Sequence, residues 1–391
     1  MILAHKIALD PNDIQATYFA KACGIARLAY NFGLAEWKEQ YEAGGKPCER
    51  ELRRLFNSRK DEVWPFVREV TKCAPQLALM NLGTAFKNFF KGTAGFPTFK
   101  KKGKSRDSFE ISNDQFDVDG QKIRIPNLGW VRMTEALRFV GKILSATISR
   151  TAHRWFVSIT VDVPDKQPPK HEGPAVGIDF GLTNFATLST GDVVTGPKPH
   201  KTLLARLRRL NKSLHRKVKG SHNRAKAAFK VAKLHARIAN IRRDFLHQFT
   251  TSVVRRFSVI GIENLNVSGM AKTTLARSVL DQSPFEMRRM LTYKAPMHGC
   301  VLAVADRFFA SSKLCSACGE KNKALKLSDR EWTCAGCGAI HDRDINAGQN
   351  LESMAVSSTV TACGALSAGV GTRNVKLGAA KQELNAIDSL G

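Results

Sequence analysis

Acidic residues are scarce in this 391-residue chain: 34 Asp and Glu stand against 61 Lys and Arg, for a formal net charge of +27. Solubility asks for far less, and such an excess of one sign is the electrostatic footprint of a polyanion partner, nucleic acid first among them. An anionic membrane would attract the same charge, but no stretch approaches the roughly 18 consecutive apolar residues of a spanning helix. The start, Met1-Ile2-Leu3-Ala4-His5-Lys6, lacks the layout of a secretory leader, which points to the cytosol. A disulfide framework is missing too. The 9 cysteines are odd in number, and Cys23, Cys48, Cys73, Cys300 and Cys363 are scattered singly. Tyrosines number only 4, and neither a tyrosine nor a serine recombinase constellation stands out.

The length predicts two to four units. Ile2 to Leu9 reads as a strand stopped by Asp10-Pro11, and Asp13 to about Glu42 carries helical periodicity. Further helices are expected over Glu49 to Arg59 and after Pro75, where Leu79, Leu82, Phe86, Phe89 and Phe90 form an apolar stripe. Beyond Gly95-Phe96-Pro97 the texture changes to short strands separated by turn residues, from Phe109-Ile111 through Trp155-Val163. That spacing suggests a small β-barrel, completed by the opening strand, with the helical segment inserted. Pro164 to Pro174 reads as a linker. An α/β pattern follows: a hairpin of Ala175-Ile178 and Phe185-Leu188, long helices from about Lys201 to Phe257, strands Val259-Ile262 and Val301-Ala305, and a last helix from about Asn346 to Val356. The expected layout is therefore a barrel at 1–10 and 96–165, helices at 11–95, an α/β domain at 166–312 and 339–360, a cysteine-bearing insert at 313–338, and a disordered Gly/Ala/Ser-rich tail at 361–391.

The insert carries the sharpest signal. Cys315-x-x-Cys318 and Cys334-x-x-Cys337, fifteen residues apart, match paired knuckles that offer four thiolates to one tetrahedral zinc. Gly319 and Gly338 follow each pair, where a tight knuckle needs backbone freedom. With no open coordination position, that zinc is structural.

Three acids carry the second signal. Asp179 ends the apolar run Ala175-Val176-Gly177-Ile178 and Glu263 ends Val259-Ile260-Gly261-Ile262, so both emerge at one edge of a sheet. A carboxylate there is costly unless a cation or hydrogen bonds offset its desolvation. Asp342-Arg343-Asp344 opens the last helix. Taken singly, each acid has an ordinary role open to it, as a turn residue, a salt-bridge partner or a helix cap. Together they suit Mg²⁺ or Mn²⁺, and two such ions about 3.5 to 4 Å apart can hydrolyse a phosphodiester in line.

At this point the residues resemble a known family. Gly177-Ile178-Asp179-Phe180-Gly181-Leu182, Gly261-Ile262-Glu263-Asn264-Leu265, the paired cysteines and His341-Asp342-Arg343-Asp344-Ile345-Asn346-Ala347 look like the split RuvC motifs and zinc ribbon of TnpB, the transposon-encoded RNA-guided nuclease related to type V CRISPR effectors. The resemblance covers about residues 1 to 360 and is most specific over 175 to 352. It implies a mixed α/β multidomain protein with an RNase H-like (RuvC) nuclease domain. It also implies catalytic, Mg²⁺-binding roles for Asp179, Glu263 and Asp344, and zinc ligation by Cys315, Cys318, Cys334 and Cys337. Asp344 is preferred over Asp342 by its match to the family's Asp-x-Asn. The partners implied are a guide RNA from the transposon end and double-stranded target DNA next to a short motif, bound by a monomer with its RNA in a bacterial or archaeal cytoplasm. The family's third motif usually reads Asn-Ala-Ala. Here it is Asn346-Ala347-Gly348, and a glycine costs a helix about 1 kcal/mol relative to alanine.

Between Lys201 and Arg243 there is no acid at all. Arg206, Arg209, Lys212, Arg216, Arg224, Lys230 and Arg237 lie in this run, which repels itself unless a polyanion neutralises it. It is assigned to the guide or heteroduplex backbone, which positions the duplex without reading sequence. Lys100, Lys101 and Lys102 form a smaller basic run. Gln76, Thr84 and Lys87 have the donors to read base edges, although ordinary solvation accounts for them as well. Three alternatives to a guided nuclease stay open: a guided DNA-binding regulator that does not cut, a strand-joining transposase, and a guide-independent structure-selective nuclease.

Overall fold

The computed structural model describes residues 1–164, 168, 171–326 and 328–367, and the chain divides near residue 165 into two compact units. No helix among the described residues is long and apolar enough to cross a membrane.

The first unit opens with β1 (Ile2–Asp10), whose alternation buries Ile7 and Leu9. A capping box then starts α1 (Asp13–Glu42). Asn12 Oδ1 accepts from the Gln15 amide at 2.9 Å and Gln15 Oε1 accepts from the Asn12 amide at 3.1 Å, satisfying two donors that a helix start leaves open. Two more helices follow, α2 (Glu49–Val63) and α3 (Cys73–Phe90). Six strands complete the unit: β2 (Ser108–Ser112), β3 (Asp117–Asp119), β4 (Lys122–Ile125), β5 (Gly129–Met133), β6 (Lys142–Thr151) and β7 (Arg154–Asp162). They form with β1 a seven-stranded antiparallel sheet in the order β2-β6-β7-β1-β5-β4-β3. Among the described residues no ladder joins β2 to β3, the two edges of this sheet. Phe19 on α1 packs against Trp155 and Phe109, with ring centroids 5.2 and 6.1 Å away. Trp37 stacks on Phe86 of α3 at 4.0 Å. The apolar stripe of α3 ends sooner than its periodicity suggests: Phe86 is buried but Phe90 is 61% exposed.

The second unit is α/β. Its strands and helices are β8 (Ala175–Phe180), β9 (Ala186–Leu188), β10 (Val193–Val194), α4 (Pro199–His215), α5 (His222–Arg256), β11 (Val259–Ile262), α6 (Val267–Met270), α7 (Ala276–Gln282), α8 (Pro284–Met297) and β12 (Val301–Val304). A two-stranded ribbon of β13 (Glu331–Thr333) and β14 (Ile340–Asp342) runs directly into α9 (Arg343–Ser367). The ribbon thus continues past residue 338. The last helix is longer than expected, covering the first residues of the supposed tail; residues 368–391 lie outside those described. The main sheet has the order β10-β9-β8-β11-β12, with β8, β11 and β12 parallel and the β8-β9 hairpin antiparallel.

Helix α9 crosses this sheet at unusually short range. Gly177 on β8 and Gly261 on β11 are register partners. A Cβ on Gly177 would overlap the Gly348 carbonyl oxygen, and one on Gly261 would overlap that of Leu351. A Cβ on Gly348 would in turn meet the Ser189 amide nitrogen at 2.8 Å. The glycine that weakens the third motif as an isolated helix is therefore what lets the helix seat on the strands. Overpacking of this kind costs about 1 to 3 kcal/mol. Replacing Gly261 by Ala should lower stability by about that amount, read as a reduced urea midpoint, whereas Gly95→Ala, with open space around its Cβ position, should leave it unchanged.

Candidate functional site

Parallel pairing fixes two of the acids. Ile178 and Ile262 are register partners, so Asp179 and Glu263 follow side by side at the carboxyl edge of β8 and β11, the edge at which open α/β sheets bind ligands. Helix α9, laid across both strands, carries Asp344 in its first turn. The three interact electrostatically. Burial, then the charges of Glu263 and Asp344, push the Asp179 carboxyl up to about 8 against the opposing pull of Arg343. Burial also raises Glu263, opposed by the Ser311 hydroxyl, which donates to its Oε1 at 2.5 Å. Asp344 is balanced by Arg330 at 3.2 Å and Arg343 at 3.1 Å. Asp342 is engaged elsewhere. Its Oδ1 accepts from the amides of Asp344 and Ile345 at 3.0 and 2.9 Å and so caps α9. The capping role open to an acid at this helix start thus falls to Asp342.

An all-oxygen set of half-buried carboxylates fits a hard divalent cation, which would offset the burial and the repulsion that raise Asp179. Among the described residues, however, only the four cysteines bring ligand atoms within 4.8 Å of one another.

The cysteines form that tight cluster. Cys315 and Cys337 sulfurs are 3.6 Å apart, as are those of Cys318 and Cys334, close to the ~3.8 Å edge of a tetrahedron with zinc–sulfur bonds of about 2.3 Å. Each knuckle closes through a glycine amide, Gly319 to the Cys315 carbonyl at 2.8 Å and Gly338 to that of Cys334 at 2.9 Å. Both glycines have positive φ, 79° and 75°, the backbone freedom expected of them from the sequence. His341, not singled out from sequence, is buried beside them with Nε2 3.1 Å from Cys315 Sγ and its ring 4.8 Å from that of Trp332. Its position at the head of the third motif was the one available signal.

The basic residues divide. Helices α4 and α5 pair through Leu207, Val231, Leu234 and Ile238. That pairing turns Arg206, Arg209, Lys212, Arg216, Lys230 and Arg237 to the exposed side. Arg224 does not join them, because its guanidinium donates to the Leu214 and Lys217 carbonyls at 3.1 and 3.0 Å and closes the end of α4. Lys101 and Lys102 are exposed, but Lys100 is turned inward, its ammonium 3.8 Å from the centroid of the Tyr30 ring. In the first unit Gln76 lines a cleft of about 730 Å³ with Arg50, Arg53, Arg54, Lys60 and Lys72. The basic residues of α2 were not anticipated, since their recurrence along a short helix reads as ordinary solvation. Thr84 and Lys87 are exposed elsewhere on α3, outside that lining.

Residues 158–274, which include Asp179 and Glu263, match the OrfB family described as "Probable transposase". Residues 285–351, with the cysteines and Asp344, match the TNB domain of Cas12f1-like proteins. Residues 1–46 match a helix-turn-helix family, although here they form β1 and the single helix α1. Over 92% of the chain, and 90% of the relative, the sequence is 38% identical to a protein of Streptomyces pristinaespiralis named "Putative RNA-guided DNA endonuclease". The chain belongs to the TnpB/OrfB family. A second TnpB/OrfB relative, the InsQ protein of Escherichia coli K12, carries the same name and is 34% identical over 92% of this chain and 94% of its own length. In fold, the chain is similar to Cas12f1 in a complex with sgRNA and target DNA, with a TM-score of 0.53 over 86% of this chain and 83% of that one at 16% identity.

A carboxyl raised to about 8 in the fold from 3.8 makes stability depend on pH in a definite direction. The folded chain then holds more protons than the unfolded one between those values. The contribution is fully present below about pH 4 and is lost as pH rises toward 8. Without added divalent ions, the urea midpoint should fall from pH 5 to pH 8. Asp179→Asn should flatten that fall, and added Mg²⁺ should reduce it in the parent chain only.

Proposed function

We propose that this chain is a transposon-encoded, RNA-guided DNA endonuclease that cuts target DNA next to a short motif through a single RuvC-like, divalent-metal-dependent site. The observation that carries the reading is the placement of Asp179 beside Glu263 at the ends of two parallel strands, within electrostatic reach of Asp344. Family membership supports the nuclease class, and the names of the relatives support RNA guidance. The first unit, a helical segment set into an antiparallel sheet, serves in this reading as the wedge and recognition part, with Gln76 and its basic cleft facing the motif duplex.

In this mechanism Asp179, Glu263 and Asp344 would hold Mg²⁺ or Mn²⁺, which would activate water and stabilise the leaving oxygen. The residues themselves define where the scissile phosphate must sit: at the carboxyl edge of β8 and β11, below the first turn of α9. Arg343 and Arg330 hold Asp344 in ion pairs that orient it until the site is filled. The exposed face of the α4-α5 hairpin neutralises nucleic-acid backbone, so binding weakens with salt while sequence is read by guide pairing. The four cysteines would hold a structural zinc, which would keep the ribbon, and hence the start of α9, in one conformation.

Asp179→Ala should abolish Mg²⁺-dependent cleavage of a target plasmid while the copurified RNA and target binding stay within about 2-fold of the parent, against the large losses expected when a member of a catalytic unit is removed. Continued cutting by that variant would sink the assignment, and a preparation with no discrete RNA would favour a guide-independent nuclease. Cys334→Ala should release zinc, measured by elemental analysis, and should lower the melting temperature of the second unit, since structural zinc sites contribute folding energy directly.

A further inference from the structure

The segment between β12 and the first knuckle carries Ser311, which is 3% exposed and donates its hydroxyl to Glu263 Oε1 at 2.5 Å. A buried serine on a loop is ordinarily a packing residue, but this loop is bonded at Ser311 and again at Leu314 to the helix that bears the third acid. The Ser311 carbonyl accepts from Asn350 Nδ2 at 2.7 Å. Asn350 Nδ2 also donates to the Leu314 carbonyl at 2.7 Å, and Asn346 Nδ2 donates to the same oxygen at 2.7 Å. Asn346 Oδ1 in turn accepts from the Ser316 amide, at 2.9 Å, inside the Cys315-x-x-Cys318 knuckle. Asn346 and Asn350 are themselves 1% and 8% exposed. They lie four residues apart, hence on one face of α9. A continuous hydrogen-bonded path therefore runs from the knuckle through two helix asparagines to one oxygen of Glu263.

We infer that Ser311 is a positioning residue for the nuclease site: it fixes the Glu263 carboxylate in the orientation that binds a divalent cation, and Asn350 fixes Ser311 to the cysteine knuckle. The inference rests on the proposed acid site. A glutamate has one more rotatable bond than an aspartate, and at a strand end nothing in the backbone sets its last torsion. The serine hydroxyl, as donor, takes one oxygen and leaves the other for a cation. Removing such a support around a metal-binding carboxylate typically weakens ion affinity 10- to 100-fold while leaving the fold in place. The two asparagines account for the fixed position of the hydroxyl: each is buried, and the loss of either would leave the Leu314 carbonyl with one partner.

The test uses the full chain purified with its RNA and titrated with Mn²⁺, with ion binding followed by electron paramagnetic resonance of free Mn²⁺ and cleavage measured in parallel. Ser311→Ala should raise the Mn²⁺ concentration for half-saturation by about 10-fold or more, with zinc content, RNA content and target binding unchanged, and Ser311→Thr, which restores a hydroxyl, should recover most of the affinity. Unchanged Mn²⁺ half-saturation in Ser311→Ala overturns the inference. So does a loss of zinc or target binding alongside ion affinity, or a failure of Thr to restore it, because the hydroxyl would then not be the agent. Asp179→Ala in the same titration separates the two readings: if it binds Mn²⁺ as the parent does, the acid site itself is misassigned, whereas loss of binding there with parental behaviour in Ser311→Ala removes Ser311 alone.

Discussion

The approach of α9 to the parallel strands is the constraint on which the second unit depends. A helix normally rests on a sheet through side chains that hold the two backbones about 10 Å apart. Here Gly177 and Gly261, paired across β8 and β11, open a shallow trough, and Gly348 lets the helix backbone into it. With that contact made, the start of the helix is carried to the strand edge where Asp179 and Glu263 emerge. An added methyl at the trough would lift α9, and the displacement would fall on the acid at its first turn.

That geometry gathers acidic groups in a half-buried place, and the molecule compensates in two ways. Arg330 from the ribbon and Arg343 from the helix balance Asp344, while Asp179 answers burial by holding its proton well above the ordinary carboxylate range. Such a site is electrostatically costly without a cation. A divalent ion bound there would offset that cost. The ribbon contributes an arginine and, through β14, the helix start itself, so the cysteine cluster and the acids form one mechanical piece.

Much of this was legible in the sequence. The apolar runs before Asp179 and Glu263 are short, bounded and rich in β-branched residues, which fixes them as buried strands, and the cysteine spacing with its trailing glycines fits little besides a closed metal site. What could not be read was whatever depends on a through-space partner. Arg224 and Lys100 look like their basic neighbours, but one finds two open carbonyls at a helix end and the other an aromatic ring. Gly348 looks like a defect until the strand glycines opposite it are known. Resemblance alone favoured Asp344 over Asp342, but the capping role of Asp342 could not be read, because it shows only in the amides of Asp344 and Ile345 that its side chain accepts. The end of α9 lies further along than composition suggests, because Gly, Ala and Ser resemble a tail even where a helix continues.

The central claim is that one divalent-cation site lies where β8, β11 and α9 converge. It is tested most directly by replacing Mg²⁺ with Fe²⁺ in the RNA-loaded full-length protein, generating hydroxyl radicals at the bound iron, and mapping the backbone cuts by mass spectrometry. The account predicts cuts confined to the segments around residues 179, 263 and 344, suppressed by excess Mg²⁺ and absent in Asp179→Ala. Cuts centred elsewhere, or an unchanged pattern in that variant, would contradict it.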